Sequence, residues 1–123
     1  MSAKAMTFGE YVREKRVQKG LSLRRFAELV ELSPTYISQV ENGVQSPPTA
    51  DRAKVMAVVL GEPEDVLVVL AGRVPDDISE ILLEQPEEMA AFIRETKGLS
   101  PEQLVGLTEE VRRLKKLKIP SPK

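Results

Sequence analysis

Apolar side chains in the first half of the chain recur at intervals of three and four positions, the period of helices that bury one face. The pattern predicts five helices, near residues 7–19, 23–30, 34–42, 49–60 and 64–71. The predicted inward residues of the first three are Phe8, Val12, Phe26, Ala27, Val30, Ile37 and Val40. No segment alternates polar and apolar residues as a half-buried strand does. We therefore expect an all-α protein.

The ends of these predicted helices carry residues that suit their positions. Ser22 and Ser33 can each cap a helix by accepting hydrogen bonds from free backbone N–H groups. Pro34 fits the first position of the third helix, because the N–H that proline lacks has no partner there. Gly20 and Gly43 follow the first and third helices, as C-terminal glycines do. The second and third helices are thus joined by a tight turn, as in a helix-turn-helix, which makes DNA the first partner to consider.

Three more helices are predicted after the fifth. Pro75 and Pro86 each open one, with apolar residues following at helical spacing. Ser100 and Gln103 have the spacing of a capping box, which would open a last helix that runs to about Leu117.

The last predicted helix carries an apolar stripe spaced three, four and three residues apart, formed by Leu104, Leu107, Val111 and Leu114. This alternation is typical of a seam between two helices. The stripe covers fewer than two heptads, so it does not establish a coiled coil. Short helices cannot bury such stripes alone, so we expect packing on the fourth and fifth helices or on a second subunit, with this stripe as the dimerisation surface.

The 123 residues have a formal net charge of −1, but the charges are segregated. Residues 1–60 carry nine Lys and Arg against six Asp and Glu, residues 61–102 carry three against eleven, and residues 103–123 carry six against two. A mildly basic first segment suits contact with phosphates, and the acidic segment should face away from DNA. An equally open interpretation is that the acidic run is a solvated surface.

Composition narrows the chemistry further. The chain has no cysteine and no histidine, which excludes disulfides and thiolate metal sites and removes the usual general base. The carboxylates show no ligand spacing, so we expect no enzyme activity, no metal and no cofactor. We find no signal peptide and no long apolar run, and we expect a soluble cytoplasmic protein that does not bind a membrane.

A wider set of residues resembles a known family: Gly20-Leu21-Ser22, Phe26-Ala27, Leu32-Ser33, Tyr36-Ile37-Ser38, Glu41-Asn42-Gly43, Pro48 and Leu60-Gly61. Together they resemble the XRE or phage-repressor-like helix-turn-helix regulators over residues 7–71. The resemblance implies a five-helix lambda-repressor-like domain that binds operator DNA, usually as a dimer, with the third helix in the major groove. We predict that this DNA-binding domain, 7–71, is followed by a C-terminal extension of about three helices, 75–118, for dimerisation or partner binding.

The resemblance also implies roles for individual positions. The side chains that would read base edges are Thr35, Tyr36, Ser38 and Gln39. Asn42 matches a phosphate-binding position, and four basic residues are candidates for further backbone contact, although each could be a solvated charge: Arg24, Arg25, Arg13 and Lys19. Arg16 and Glu41 match positions of a partly buried ion pair that would orient the third helix.

The sequence departs from the family pattern at three positions. Leu23 stands where the family commonly has a phosphate-binding glutamine, so that contact is absent. Pro34 has no hydrogen-bonding group to offer at a position that often reads bases. Glu31 replaces the usual turn glycine, and a left-handed conformation at this residue costs roughly 1 kcal/mol.

Two functional hypotheses follow. The first is a dimeric, sequence-specific transcriptional regulator, a repressor that binds a partly palindromic operator. The alternative is an antitoxin-like or peptidase-controlled regulator whose C-terminal helices bind a protein partner, either a toxin or an ImmA/IrrE-type metallopeptidase. The acidic segment motivates the second hypothesis, because it leaves a helical surface with no evident role in DNA binding.

Overall fold

A computed structural model describes residues 6–117. Its helices are α1 (Phe8–Gln18), α2 (Leu23–Val30), α3 (Pro34–Glu41), α4 (Ala50–Leu60), α5 (Glu64–Leu70), α6 (Asp76–Glu84), α7 (Pro86–Glu95) and α8 (Pro101–Leu117). Residues 6–117 contain no strand. The all-α prediction is confirmed, and every predicted helix lies where the pattern put it, to within about one residue at each end. Residue 118, the last of the predicted C-terminal region, lies outside the described residues.

Side-chain caps fix where several of these helices begin. The hydroxyls of Ser22 and Ser33 each accept from the backbone N–H three residues on, at 3.0 Å. Ser100 and Gln103 form the predicted capping box, with hydrogen bonds of 2.9 and 3.1 Å. Thr7 forms a second capping box at the start of α1, which the sequence analysis did not single out. Each cap satisfies N–H groups that the first turn of a helix leaves free.

The first five helices share one apolar core. Its buried residues are Phe8, Val12, Phe26, Ala27, Val30, Ile37, Val40, Ala53, Met56, Ala57, Leu60, Leu67, Val68 and Ala71. All seven predicted inward residues of α1, α2 and α3 are among them. Leu32, between α2 and α3, is half-buried and packs against this core.

Helices α4 and α5 pack on each other and are joined by only three residues, 61–63. Gly61 ends α4 with a φ of 71°, in the left-handed region that glycine adopts without strain. The Tyr11 hydroxyl donates to the Glu62 carboxylate at 2.6 Å and ties α1 to this connection. Burial raises the pKa of Tyr11 to about 12, and the hydrogen bond to Glu62 adds to the shift.

The chain divides into two compact units, Met1–Glu80 and Ile81–Lys123, and the boundary falls inside α6. Helices α6, α7 and α8 bury none of their residues. Among the described residues, no helix is long and apolar enough to cross a membrane, and no cluster of three carboxylates could hold a metal ion.

Candidate nucleic-acid interface

The turn between α2 and α3 is built around Glu31. This residue has φ 59° and ψ 43°, and it is the one non-glycine residue with positive φ among residues 6–117. The N–H of Leu32 donates to the carbonyl of Ala27 at 3.0 Å and closes the end of α2. Ser33 and Pro34 then start α3 as cap and first residue. The left-handed turn predicted for Glu31 is present, at a cost of about 1 kcal/mol relative to glycine.

Helix α3 has one buried face and one polar face. Ile37 and Val40 are buried in the core. Successive residues of a helix lie about 100° apart, so one outward strip carries the polar residues Thr35, Ser38, Gln39 and Asn42. Thr35 and Asn42 are exposed, whereas Ser38 and Gln39 are half-buried, and the Asn42 amide donates to the Ser38 hydroxyl at 3.4 Å. The outward strip therefore holds amide and hydroxyl groups and no charged side chain.

Tyr36 lies at the edge of this strip. Its ring is half-buried and packs against the core, and its hydroxyl donates to the carbonyl of Ser46 at 3.5 Å. The structure thus directs Tyr36 toward the connection between α3 and α4, away from the centre of the strip.

An ion pair fixes the far end of α3 to α1. Arg16 donates from Nε and Nη2 to the two carboxylate oxygens of Glu41, at 2.7 and 3.0 Å. Its third donor, Nη1, reaches the carbonyl of Leu21 at 2.9 Å, in the connection between α1 and α2. The side chains are 12% and 4% exposed, and the hydrogen bond to Glu41 raises the pKa of Arg16 although burial opposes the shift. The bidentate geometry sets the direction of α3 relative to the first two helices.

A second contact between α1 and α3 involves no side chain. Gly9 is buried inside α1, and a Cβ atom placed on it would come within 2.9 Å of the Glu41 carbonyl oxygen and closer still to that of Val40. Only glycine allows α3 to approach α1 this closely. The sequence analysis missed Gly9, although a glycine inside a helix costs up to about 1 kcal/mol and such a residue commonly marks a close approach.

The predicted phosphate-contact residues occupy different surroundings. Arg13, Lys19, Arg24 and Arg25 are all exposed. Arg25 pairs with Glu28 one turn along α2, at 2.8 Å, a pair that sequence reasoning did not identify. Lys19 lies beside the connection between α4 and α5, where its Nζ is 3.4 Å from a Cβ placed on Gly61. No ion pair among the described residues involves Arg13, Lys19 or Arg24.

Residues 12–67 match the family model described as Helix-turn-helix. This stretch is therefore similar to helix-turn-helix domains. The match spans α2, the Glu31 turn and α3 together with most of the five-helix core. The resemblance to helix-turn-helix regulators predicted from the residues of the first half of the chain is confirmed.

Two relatives share this helix-turn-helix region. A protein of Aeropyrum pernix, described as an HTH-type transcriptional regulatory protein, is 36% identical over 81 residues, which make up 64% of this chain and 24% of that protein. The HTH-type transcriptional regulator RghRB of Bacillus subtilis is 33% identical over 76 residues, or 59% of this chain and 55% of that protein. The chain thus matches about a quarter of the first relative's length and about half of the second's.

Two solved structures are also similar. One is the crystal structure of SinR, the master regulator for biofilm formation, in complex with DNA, with a TM-score of 0.47 and 26% identity. The match covers 50% of this chain and 97% of the SinR chain. The crystal structure of the clp gene regulator ClgR from C. glutamicum has a TM-score of 0.45 and 28% identity. The match covers 53% of this chain and 83% of the ClgR chain. The resemblance to helix-turn-helix proteins rests on the sequence match over residues 12–67.

Proposed function

We propose that this protein is a transcriptional regulator that binds double-stranded DNA, with α3 of domain 7–71 in the major groove. The observation that carries this proposal is the outward strip of α3, which presents uncharged amide and hydroxyl groups on a helix held at both ends. The Glu31 turn positions its first residue, and the Arg16–Glu41 ion pair fixes its last turn. A helix that reads bases needs this orientation, because hydrogen bonds to base edges are short and directional.

Within the outward strip, Gln39 is the best candidate for direct reading of a base. Its amide can bond bidentately to N6 and N7 of adenine. Thr35 and Ser38 can bond to several bases or contact a thymine methyl group. Tyr36, whose hydroxyl is directed toward Ser46, is better placed to contact the DNA backbone at the edge of the groove.

Exposed polar and basic residues around α3 would supply the sequence-independent part of the affinity. The candidates include the exposed Asn42 at the end of α3 and the exposed Arg24 near the start of α2, and no ion pair within residues 6–117 involves Arg24. Arg25 would have to exchange its exposed pair with Glu28 for a phosphate, which costs little because such pairs contribute at most about 1 kcal/mol. Arg13 and Lys19 complete the predicted set.

The substitutions Gln39→Ala and Arg24→Ala should have different effects on DNA binding. Gln39→Ala should relax the preference at one base position, for a loss of about 1–3 kcal/mol on the preferred site, because the bidentate contact is lost. Arg24→Ala should weaken binding to all sequences alike and reduce the slope of log affinity against log salt by about 1. Fluorescence anisotropy titrations with the protein's own upstream region and a scrambled duplex measure both effects. Equal affinity of the wild-type chain for the two duplexes would contradict sequence-specific binding.

We further propose that the regulator is a homodimeric repressor of a partly palindromic operator, and that region 75–118 dimerises it. Leu104, Leu107, Val111 and Leu114 form one stripe along α8, and each is exposed, from 37% for Leu107 to 56% for Leu114. Four exposed apolar residues in one row at helical spacing suit a contact with the same row of a second copy. Two recognition helices about 34 Å apart would then reach half-sites one helical turn apart.

The substitution Leu107→Asp should convert the dimer into a monomer, because it places a charge within the apolar stripe. Val105→Asp is the matched control, since Val105 is 59% exposed and lies on the other side of α8. Sedimentation velocity at micromolar concentration measures the outcome, and operator affinity should fall only for Leu107→Asp. If the wild-type chain is itself monomeric, the dimer proposal is wrong and the alternative of a toxin or metallopeptidase bound at the C-terminal helices takes its place.

A further inference from the structure

A basic residue from the acidic part of the sequence lies close to α3. Helices α4 and α5 pack on each other, and the residues that follow α5 lie near the start of α4. Arg73 is three positions beyond the end of α5, and it lines the same surface cavity as Thr49 and Arg52 at the start of α4. This cavity has a volume of about 360 Å³.

The opposite wall of this cavity belongs to the helix-turn-helix. Leu32 from the turn and Tyr36 from α3 line it, together with the connection that holds Ser46. The Tyr36 hydroxyl, 3.5 Å from the Ser46 carbonyl, is directed toward this connection. The cavity therefore lies next to the outward strip of α3, on the side where α3 leads into α4.

Both arginines of the cavity have donors available. Arg52 and Arg73 are exposed, and the ion pairs found among residues 6–117 involve other arginines. Arg52 uses Nη1 to donate to the carbonyl of Val30 at 3.4 Å, which anchors its guanidinium beside the end of α2 and leaves its other N–H groups free to bind. Each guanidinium presents a planar set of donors that matches the oxygens of a phosphate.

We propose that Arg52 and Arg73 together bind a backbone phosphate of the duplex whose bases α3 reads. This inference rests on the proposed function, and it adds a phosphate site that includes a residue outside the matched family region, 12–67. Phosphate contacts of this kind fix the register of a protein on the duplex and carry no sequence information themselves. Tyr36 lines the same cavity, and its hydroxyl would have to exchange the Ser46 carbonyl for the phosphate in order to donate to it.

The substitution Arg73→Ala in the full chain tests the proposal. It should lower the affinity for a labelled duplex from the protein's own upstream region by about eightfold at about 0.1 M salt, since one released counterion contributes a slope of about 0.9 per decade of salt. The slope itself, measured between about 50 and 200 mM salt, should fall by about 0.9, equally on a scrambled duplex. Arg73→Lys should keep the slope and lose only part of the affinity, because the charge remains but the planar donors do not.

The matched control is Arg94→Ala, which removes the same charge from an exposed position of α7. It should leave both affinity and slope unchanged. The proposal is overturned if Arg73→Ala behaves like this control while Gln39→Ala still relaxes base preference, an outcome that leaves the proposed function standing. A wild-type chain that fails to bind either duplex would overturn both this proposal and the proposed function.

Inorganic phosphate distinguishes a further outcome. In this outcome it raises the melting temperature of the wild type but not of Arg73→Ala, while Arg73→Ala and Arg73→Lys leave the duplex affinity unchanged. In that case the site binds a free anion and the proposal is wrong.

Discussion

Replacing Glu41 with alanine is expected to lower the free energy of unfolding by about 3–5 kcal/mol. The Arg16 side chain is only 12% exposed, and the substitution removes its carboxylate partner. A buried charge without a partner is far more costly than the loss of a surface contact. It also releases the last turn of α3 from α1, so DNA affinity should fall more than the residual folded fraction explains. Urea unfolding followed by circular dichroism measures the first effect, and anisotropy under folding conditions measures the second.

The exposed pair of Arg25 and Glu28 provides the matched control. Both partners are more than half exposed, so Glu28→Ala should cost at most about 1 kcal/mol. A double substitution, Arg16→Met with Glu41→Leu, should recover most of the stability that Glu41→Ala loses, because no buried charge is left unpaired. Equal stability losses for Glu41→Ala and Glu28→Ala would show that the Arg16–Glu41 pair does not hold α3 in place.

Replacing Gly9 with alanine is the second change with a large expected effect. The added methyl group would overlap the carbonyl oxygens of Val40 and Glu41, so α1 and α3 would have to separate by roughly 1 Å to regain ordinary contact distances. Overpacking of this kind costs about 1–3 kcal/mol, and here the neighbouring atoms are backbone that cannot rotate away. Helix α3 would shift as a unit, so the melting temperature should fall, and with it the proposed affinity for the preferred duplex.

Gly106→Ala is the control, because a Cβ at Gly106 in α8 would meet no atom within 4 Å. There the substitution removes an exposed glycine from a helix interior and should stabilise α8 by about 0.5–1 kcal/mol. Helix content and thermal unfolding distinguish the two variants. If Gly9→Ala also gains stability, the close approach of α1 to α3 is not a constraint on the fold.

The sequence predicted the helices because their signals are local. Apolar residues at intervals of three and four marked the buried faces, and Ser33 and Ser100 marked where helices begin. The left-handed Glu31 turn was predicted from the resemblance, because related domains usually have a glycine at this position. The dimerising role of the α8 stripe remains a prediction, because a stripe shows which residues share a face but not what covers them.

Sequence reasoning did not find the features that depend on contact between distant parts of the chain. It missed Gly9, because a glycine inside a helix can signal a close approach but does not indicate which element comes close. It assigned Arg73 to an acidic segment expected to face away from DNA, because charge counted along the chain ignores the return of α5 to the start of α4. Arg16 and Glu41 were paired from a resemblance alone, and the structure supplied the three donors and the burial that give the pair its importance.

By itself, the sequence determined an all-helical protein with a helix-turn-helix pattern and a polar face on its third helix. These properties follow from periodicity, caps and fixed residue types, which act over one or two helical turns. Only the tertiary structure decided how firmly that helix is held, by Gly9 and the Arg16–Glu41 pair, and which arginines stand beside it. The reason is physical: close approach, burial of charge and convergence of donors are set by how helices pack, and packing joins residues that the sequence keeps far apart.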